Sequence, residues 1–383
     1  MIPLFKSLVS HRAKKEVARV LDSGWIGLGP EVALFEREFA KYVGCKHAIA
    51  LNSGTEALRL AVHYWCPSFD SGFGVGLKIR NTKVLTTPNT FVSTNHVLLQ
   101  NKFWPIFADI DPNTGALDLD SVRRMCRKYD PGGLMVVHYG GMPIDLDGLY
   151  SIVKEFDLGL IEDAAHACGA AYRGFKIGGT GQTTCFSFHA VKNLNIGDGG
   201  MITTEDDDFA KFCHNMRWLG IDKSTISRAS DKQYSWDYDV TDLGYKAHMN
   251  DIMAAIGRVQ LRELDMYNQW RTRIHDQYVN ELKGVQFLSK PKNATSAHHL
   301  MVIRSPKKQE ICSALQNAEI GFGYHYKPNY LYKIYEAYSK DGEMKGMEEF
   351  YKTAISLPMN LFLRHGIEIP FICKTINKVT EGI

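Results

Sequence analysis

Three short clusters of small, acidic and basic residues contain side chains that could do chemistry together. The first cluster, NSGTE at 52–56, stands between an apolar run and a helical pattern. Small residues let backbone amides approach an anion closely, and the start of a helix adds positive potential. The cluster therefore predicts an anion site, although Ser53 or Thr55 could instead do no more than cap the helix.

The second cluster, EDAAH at 162–166, closes the apolar run LGLIED at 158–163. A carboxylate at the end of a buried strand can point into a cleft rather than into water. Asp163 is therefore a candidate functional acid. The alternative is that it caps a helix that follows the strand.

The third cluster, SFHAVK at 187–192, follows another apolar run and precedes the turn GDGG at 197–200. Burial lowers the pKa of a lysine, which makes its amine available as a nucleophile and proton carrier. Lys192 is therefore a candidate catalytic amine. The alternative is a structural lysine whose charged end reaches solvent.

Short apolar runs alternate with helical patterns over the first two thirds of the chain. This order predicts an α/β fold with a mostly parallel central sheet covered by helices on both faces. Ligands bind such sheets outside the carboxyl ends of the strands, where the three clusters would meet. The predicted strands are 47–51, 83–88, 105–111, 134–139, 158–163 and 183–188, with 200–206 as a hairpin partner.

The pattern changes near residue 250, where about thirty residues have apolar positions at helical spacing. A long helix of this kind often leads into a second domain. We therefore predict a large domain over 1–250, followed by the connecting helix and a smaller C-terminal α/β domain over 251–383. Residues 298–383 combine a strand, a helix and a tyrosine-rich loop.

Bulk composition excludes several classes of protein. The chain has 383 residues, a formal net charge of +3 and no run of five basic residues, so nucleic acid is not an expected partner. None of its eight cysteines forms a CxxC pair, so no zinc ribbon is predicted and a reducing compartment is favoured. With neither a signal-peptide layout nor an apolar run of about 18 residues, a cytoplasmic protein without membrane spans is expected.

Taken together and in this order, the clusters resemble the DegT/StrS-type sugar aminotransferases, a family of fold type I enzymes that use pyridoxal 5'-phosphate (PLP). The similarity extends to other blocks of the chain, from about residue 2 to residue 360. These blocks include GWIGLGPEVALFEREFAKYVG, TFVSTNHVLL, PIFADIDPNTGALDLD, MVVHYGG, WDYDVTDLGYKAHMNDIMAAIGRVQL and HYKPNYLY.

The resemblance implies a role for each matching residue around the cofactor ring. Lys192 would hold PLP as a Schiff base and then carry a proton. Asp163 would pair with the pyridine nitrogen and keep it protonated, so that the ring acts as an electron sink. His166 would contact the ring or its oxygen, and Phe91 would stack on the pyridine.

The resemblance also implies how the phosphate and the substrates bind. Gly54, Thr55 and Ser187 would hold the phosphate, and His248 would reach it from a partner subunit, which implies a homodimer. On the substrate side the matching residues are His189, His325 and Tyr326. Tyr330 and Lys333 stand where the family pattern has His and Pro, a departure that concerns the substrate more than the cofactor.

The reaction implied is a two-stage amino transfer. L-glutamate would convert PLP to pyridoxamine 5'-phosphate (PMP), and a nucleotide-linked keto-deoxy sugar would then take the amine at C4 or C3, in amino-sugar or surface-polysaccharide biosynthesis. Relatives that dehydrate sugars carry His at the position of Lys192, so transamination is favoured. A dehydratase of the same family and a non-catalytic regulatory relative are the alternatives.

Overall fold

The computed structural model describes residues 1–65, 79–222, 238–338 and 342–382. Cys66 and the first two residues of the block at 236–261 lie outside the described residues. Among those described, no helix is both long and apolar enough to cross a bilayer.

The strands of the first half of the chain begin with β1 (His47–Leu51), β2 (Lys83–Thr86), β3 (Trp104–Phe107), β4 (Gly133–Val137) and β5 (Gly159–Asp163). The short hairpin of β6 (Ala171–Tyr172) and β7 (Phe175–Lys176) precedes β8 (Thr183–Ser187) and β9 (Gly200–Thr204). Seven of these strands form one sheet in the order β1-β9-β8-β5-β4-β2-β3.

The direction of the strands confirms the predicted α/β class. The ladders joining β3, β2, β4, β5 and β8 are parallel, whereas β9 runs antiparallel to both of its neighbours, β8 and β1. The predicted hairpin partner at 200–206 is therefore confirmed as β9. Residues 188–199, which connect β8 to β9, carry Lys192.

Helices cover this sheet, and polar side chains cap the N-termini of several of them. The Ser10, Ser53 and Asn250 side chains accept hydrogen bonds from the first turns of their helices, as expected of N-cap residues. The helices are α1 (His11–Ser23), α2 (Pro30–Val43), α3 (Gly54–His63), α4 (Val92–Gln100), α5 (Leu119–Tyr129), α6 (Leu146–Glu155), α7 (Asp207–Met216) and α8 (Asp251–Glu281), followed by α9 (Lys308–Asn317), α10 (Lys345–Thr353) and α11 (Glu368–Glu381).

Several predicted strands are too long by a few residues at their carboxyl ends. The run 134–139 forms a strand only to Val137, because residues 139–141 turn into a 3-10 helix in which Gly140 and Gly141 have positive φ. The runs 83–88 and 105–111 likewise end at Thr86 and Phe107. Because these strands end early, polar backbone groups and side chains at the ligand-binding edge of the sheet are not used in strand pairing.

The helix predicted from residue 250 is confirmed as α8, which is 31 residues long. The carboxylate of Asp251 fixes its start, because it accepts hydrogen bonds from the backbone N–H groups of Gly29 and Val32 at the start of α2. The second half of α8 packs with α9 and α11 in a separate apolar cluster, which includes Ile274, Tyr278, Ile311 and Ile372.

Two further sheets are small. One contains β10 (Gln286–Phe287), β12 (Met301–Arg304) and β13 (Ala354–Leu357), and in the other β11 (Ala294–Thr295) joins the β6–β7 hairpin. The N-terminal residues also join the C-terminal part, since Ile2 pairs with Ile320 and the N–H of Met359 donates to the carbonyl of Leu4. The division at residue 250 stays a prediction.

Candidate active site

The loop before α3 and the end of β8 come together at one edge of the sheet. A Cβ atom added to Gly54 would lie 2.7 Å from the Cβ of Ser187, so only glycine fits this approach. Ser53 caps α3, because its hydroxyl oxygen accepts the N–H of Glu56 at 3.1 Å. The N–H groups of Gly54 and Thr55, in the first turn of α3, have no carbonyl partner within the helix and are therefore available to bind an anion.

Gly54→Ala is expected to weaken cofactor binding roughly tenfold, because the new methyl group must push Ser187 away from the end of β8. Fluorescence titration of the cofactor-free protein with PLP measures the change. Gly366→Ala is the matched control, since nothing lies within 4 Å of its added Cβ. Equal PLP affinity in both variants would contradict the assignment of this loop to the phosphate.

Asp163 lies at the carboxyl end of β5, buried between the sheet and α4. Its two carboxylate oxygens accept the hydroxyl of Thr94 at 2.8 Å and the N–H of Ala165 at 3.0 Å. The alternative of a helix cap is wrong, because successive turns rather than a helix follow β5. Burial raises the pKa of the Asp163 carboxyl, opposed by Ala165, Thr94 and the charge of Lys192.

Thr94 is a site residue that the sequence analysis did not identify. Its hydroxyl also lies 2.7 Å from that of Thr90, and both threonines are buried. The sequence block TFVSTNHVLL could have indicated it. Thr94 comes three positions after Phe91, so in a helix the two side chains lie one turn apart on the same face. The outcome is a carboxylate whose orientation is fixed from the neighbouring helix.

Lys192 lies half-buried in the connection between β8 and β9. Burial lowers the pKa of its amine to about 8, an effect that the nearby carboxylate of Asp163 opposes. Such an amine is partly neutral near pH 8, unlike a lysine whose charged end reaches solvent. Hydrogen bonds from Lys192 N–H to the carbonyl of His189 at 2.8 Å and from Ile196 N–H to that of Phe188 at 3.0 Å hold the loop in shape.

His166 is buried between two other rings. Its ring centroid lies 4.4 Å from that of His299 and 6.1 Å from that of Tyr326. Nδ1 accepts the N–H of Gly140 at 3.3 Å, so in the neutral ring Nε2 carries the proton and donates to the Tyr326 hydroxyl at 3.1 Å. Burial and the charge of Lys192 hold the pKa of His166 well below its ordinary value.

The structure brings Tyr326 to the cofactor residues and His325 within electrostatic range of Lys192. The ring of Phe91, 59% exposed, lies 6.3 Å from that of Tyr326, whose N–H donates to the Asn89 side chain at 3.0 Å. His325 turns its Nδ1 to the hydroxyl of Ser356 at 2.8 Å. His189 is exposed on the loop that carries Lys192.

His248 lies beside the end of β1, where it forms a bridge with Leu51. Its ring is 4.3 Å from that of Trp218, and its buried Nδ1 has no hydrogen-bond partner among the described residues. Burial, together with Lys246 and Arg217, lowers the pKa of His248 to about 4. A contact with a phosphate across a subunit interface stays a prediction.

These residues fit PLP at each of its polar ends. The approach of Gly54 to Ser187 leaves amide and hydroxyl donors for a phosphate, and buried Asp163 can hold a proton on a ring nitrogen. The amine of Lys192 lies within electrostatic range of Asp163. When bound, PLP supplies an electron sink conjugated to the amino group being transferred. The fold and site are those of a PLP-dependent aminotransferase.

The chain belongs to the DegT/DnrJ/EryC1/StrS aminotransferase family, whose model matches residues 8–366. It is 34% identical to the spore coat polysaccharide biosynthesis protein SpsC of Bacillus subtilis, over 94% of this chain and 92% of that protein. It is 31% identical to a UDP-4-amino-4,6-dideoxy-N-acetyl-beta-L-altrosamine transaminase of Campylobacter jejuni, over 86% of this chain and 85% of that enzyme.

Solved structures agree with this assignment over the whole chain. Helicobacter pylori PseC, an aminotransferase involved in the biosynthesis of pseudoaminic acid, superposes with a TM-score of 0.87 at 26% identity and covers 100% of both chains. A similar protein of Streptococcus pneumoniae, 26% identical and with TM-scores of 0.87 and 0.86, has been solved in its PMP and PLP forms. The family is PLP-dependent, and the cofactor predicted from the sequence is confirmed.

Proposed function

We propose that this enzyme transfers the amino group of L-glutamate to the keto carbon, C4 or C3, of a nucleotide-linked deoxy sugar. Glutamate leaves as 2-oxoglutarate, and the sugar gains the amine in place of its carbonyl oxygen. The names of the Bacillus subtilis and Campylobacter jejuni relatives support an amino sugar destined for a surface polysaccharide. The observation that carries the proposal is Lys192, an amine with a lowered pKa beside the buried carboxylate of Asp163.

Each residue of the site has a proposed task. Lys192 Nζ would attach the cofactor and, in each half-reaction, carry a proton between the substrate carbon that bears the nitrogen and the cofactor carbon, while Asp163 would hold a proton on the ring nitrogen. His166 and Phe91 cover the ring, and Tyr326 orients His166 through its hydroxyl. The phosphate is held by Gly54, Thr55 and Ser187 of one subunit and by His248 of its homodimer partner, and His189 and His325 face the sugar.

Two observations favour transamination over the alternatives. A dehydratase of this family is expected to carry His where this chain has Lys192, so that reaction is disfavoured. A non-catalytic relative would have no need of a partly neutral amine, a buried acid fixed by Thr94 and the close approach of Gly54 to Ser187. The site retains all three.

The reverse half-reaction tests the proposal. The PLP-loaded enzyme is mixed with a panel of nucleotide-linked 3-amino and 4-amino sugars, and the visible cofactor band is followed. We expect the band to disappear with one member of the panel and to return when 2-oxoglutarate is added. The matching amino sugars without a nucleotide serve as controls. A band that responds to L-glutamate but to no nucleotide-linked amino sugar would contradict the proposed acceptor.

A further inference from the structure

A narrow cleft beside the Lys192 loop holds a buried cation that the roles proposed above do not use. Arg271, on α8, is only 7% exposed. Among the described residues its guanidinium makes no ion pair or hydrogen bond, and its Nε is buried without a partner. An unpaired buried charge is costly, so a guanidinium in this position is expected to bind an anion. Burial lowers the pKa of Arg271 to about 10.

The walls of the cleft are positively charged. Three cations line it, Lys6 at its mouth together with Lys192 and Arg271, and the described lining contains no carboxylate. Two carboxylates outside the lining act on lining residues: Glu263 accepts the hydroxyl of Tyr267 at 2.6 Å, and Asp163 lies within electrostatic range of Lys192. The charge of the cleft is therefore complementary to an anion, and the planar fork of an arginine matches a carboxylate.

The cleft is joined to the active site by the loop that carries Lys192. Asn193 donates to the side chain of Asn268 at 2.8 Å, one turn before Arg271 on α8, and its Oδ1 lies 3.0 Å from Nδ1 of His299. His299 packs against His166, and its pKa is lowered by burial and, to a smaller extent, by the charges of Lys192 and Arg271. Arg271 therefore lies next to the residues proposed to do the chemistry.

We propose that Arg271 binds one carboxylate of the amino donor and so selects an amino acid with an acidic side chain. The inference rests on the proposed function, because it names where the donor of that reaction is held. The sugar substrate carries its negative charge on a diphosphate and has no carboxylate, so the proposal predicts that Arg271 acts in the donor half of the reaction alone. Arg271 is then a substrate-binding residue in a cleft that the Lys192 loop also lines.

Calorimetric titration of the PLP-loaded enzyme with glutarate, which has no amine and cannot react, tests this assignment. We expect Arg271→Gln to weaken glutarate binding roughly tenfold or more, and Arg271→Lys to give an intermediate affinity because it keeps the charge but loses the fork. Arg273→Gln is the matched control, since Arg273 is an exposed cation two residues further along α8. Glutaric diamide, which has no charge, is expected not to bind.

The two half-reactions separate this inference from the proposed function. Arg271→Gln should raise the apparent KM for L-glutamate about tenfold and leave the half-reaction with the nucleotide-linked amino sugar unchanged. Its melting temperature should be equal to or above that of the wild type, because among the described residues no hydrogen bond or ion pair is lost and an unpaired charge is removed.

Three results would overturn the inference while amino transfer itself persists. The first is unchanged glutarate affinity in Arg271→Gln. The second is a lowered melting temperature or failure to fold, which would indicate a structural role. The third is sulfate binding as tight as glutarate binding with an unchanged KM for glutamate, which would indicate a site for small inorganic anions. Absence of amino transfer from any donor in the wild type would instead overturn the proposed function.

Discussion

Replacing Lys192 with alanine is expected to lower amino transfer at least about 10³-fold. The substitution removes the amine that we propose attaches the cofactor and moves the proton, and each of these roles contributes a large factor to the rate. Among the described residues, Lys192 is the only lysine whose charge is found to shift the pKa values of Asp163 and His166. Steady-state kcat with L-glutamate and the acceptor sugar measures the loss.

The control for this variant is Lys211→Ala, because Lys211 is exposed on α7, away from the edge of the sheet where the site lies. It should keep the wild-type kcat. Added methylamine should restore part of the proton transfer in Lys192→Ala if the fold is intact. A Lys192→Ala enzyme that keeps more than a tenth of the wild-type kcat would contradict the assignment.

Asp163→Asn is expected to lower kcat roughly 10²- to 10⁴-fold, the range typical of a lost proton-transfer partner. The amide keeps the size of the side chain but carries no charge to hold a proton on the ring nitrogen. It also offers one oxygen where the carboxylate uses two, toward the Thr94 hydroxyl and the Ala165 N–H. The measurement is kcat together with PLP content, so that loss of chemistry is separated from loss of cofactor.

Asp208→Asn provides the comparison, since Asp208 is exposed in the first turn of α7. It should change neither kcat nor PLP content. Thr94→Val in the wild-type background should show a smaller loss than Asp163→Asn, because Thr94 only positions the carboxylate. Wild-type kcat in Asp163→Asn at full PLP content would show that the buried acid has no part in the chemistry.

Much of the large sheet could be predicted from the sequence, because its buried strands are short apolar runs that end in polar residues. β1 was predicted to the residue, and β5 and β8 to within one residue. Strand ends were harder to place at 134–139, where the backbone freedom of Gly140 and Gly141 ends β4 early. Apolar character alone does not reveal such a turn.

The C-terminal third was less predictable. The strand at 301–304 and the helices α8 and α9 were recognised, but α10, β13 and α11 were not assigned. β13 is a four-residue strand that follows directly on α10. A strand this short depends on its pairing with β12, which lies some fifty residues earlier in the chain. A local sequence pattern does not reveal such a distant pairing.

The site itself was predicted by residue type, but its supporting contacts were not. Asp163 and Lys192 stand out because they follow predicted buried strands, at the edge of the sheet where ligands bind. Thr94, His299 and Arg271 do not stand out, since a threonine, a histidine or an arginine on a helix is ordinary until its neighbours are known. Their importance follows from burial and distance, which only the folded chain supplies.

Reduction of the PLP-loaded enzyme with borohydride, followed by peptide mass spectrometry, tests the central claim most directly. Borohydride makes the link between the cofactor and its lysine permanent. We expect the cofactor mass on the peptide containing Lys192 in the wild type and on no peptide in Lys192→Ala. Cofactor mass on another lysine of the wild type, or none on Lys192 in protein with a full complement of PLP, would contradict it.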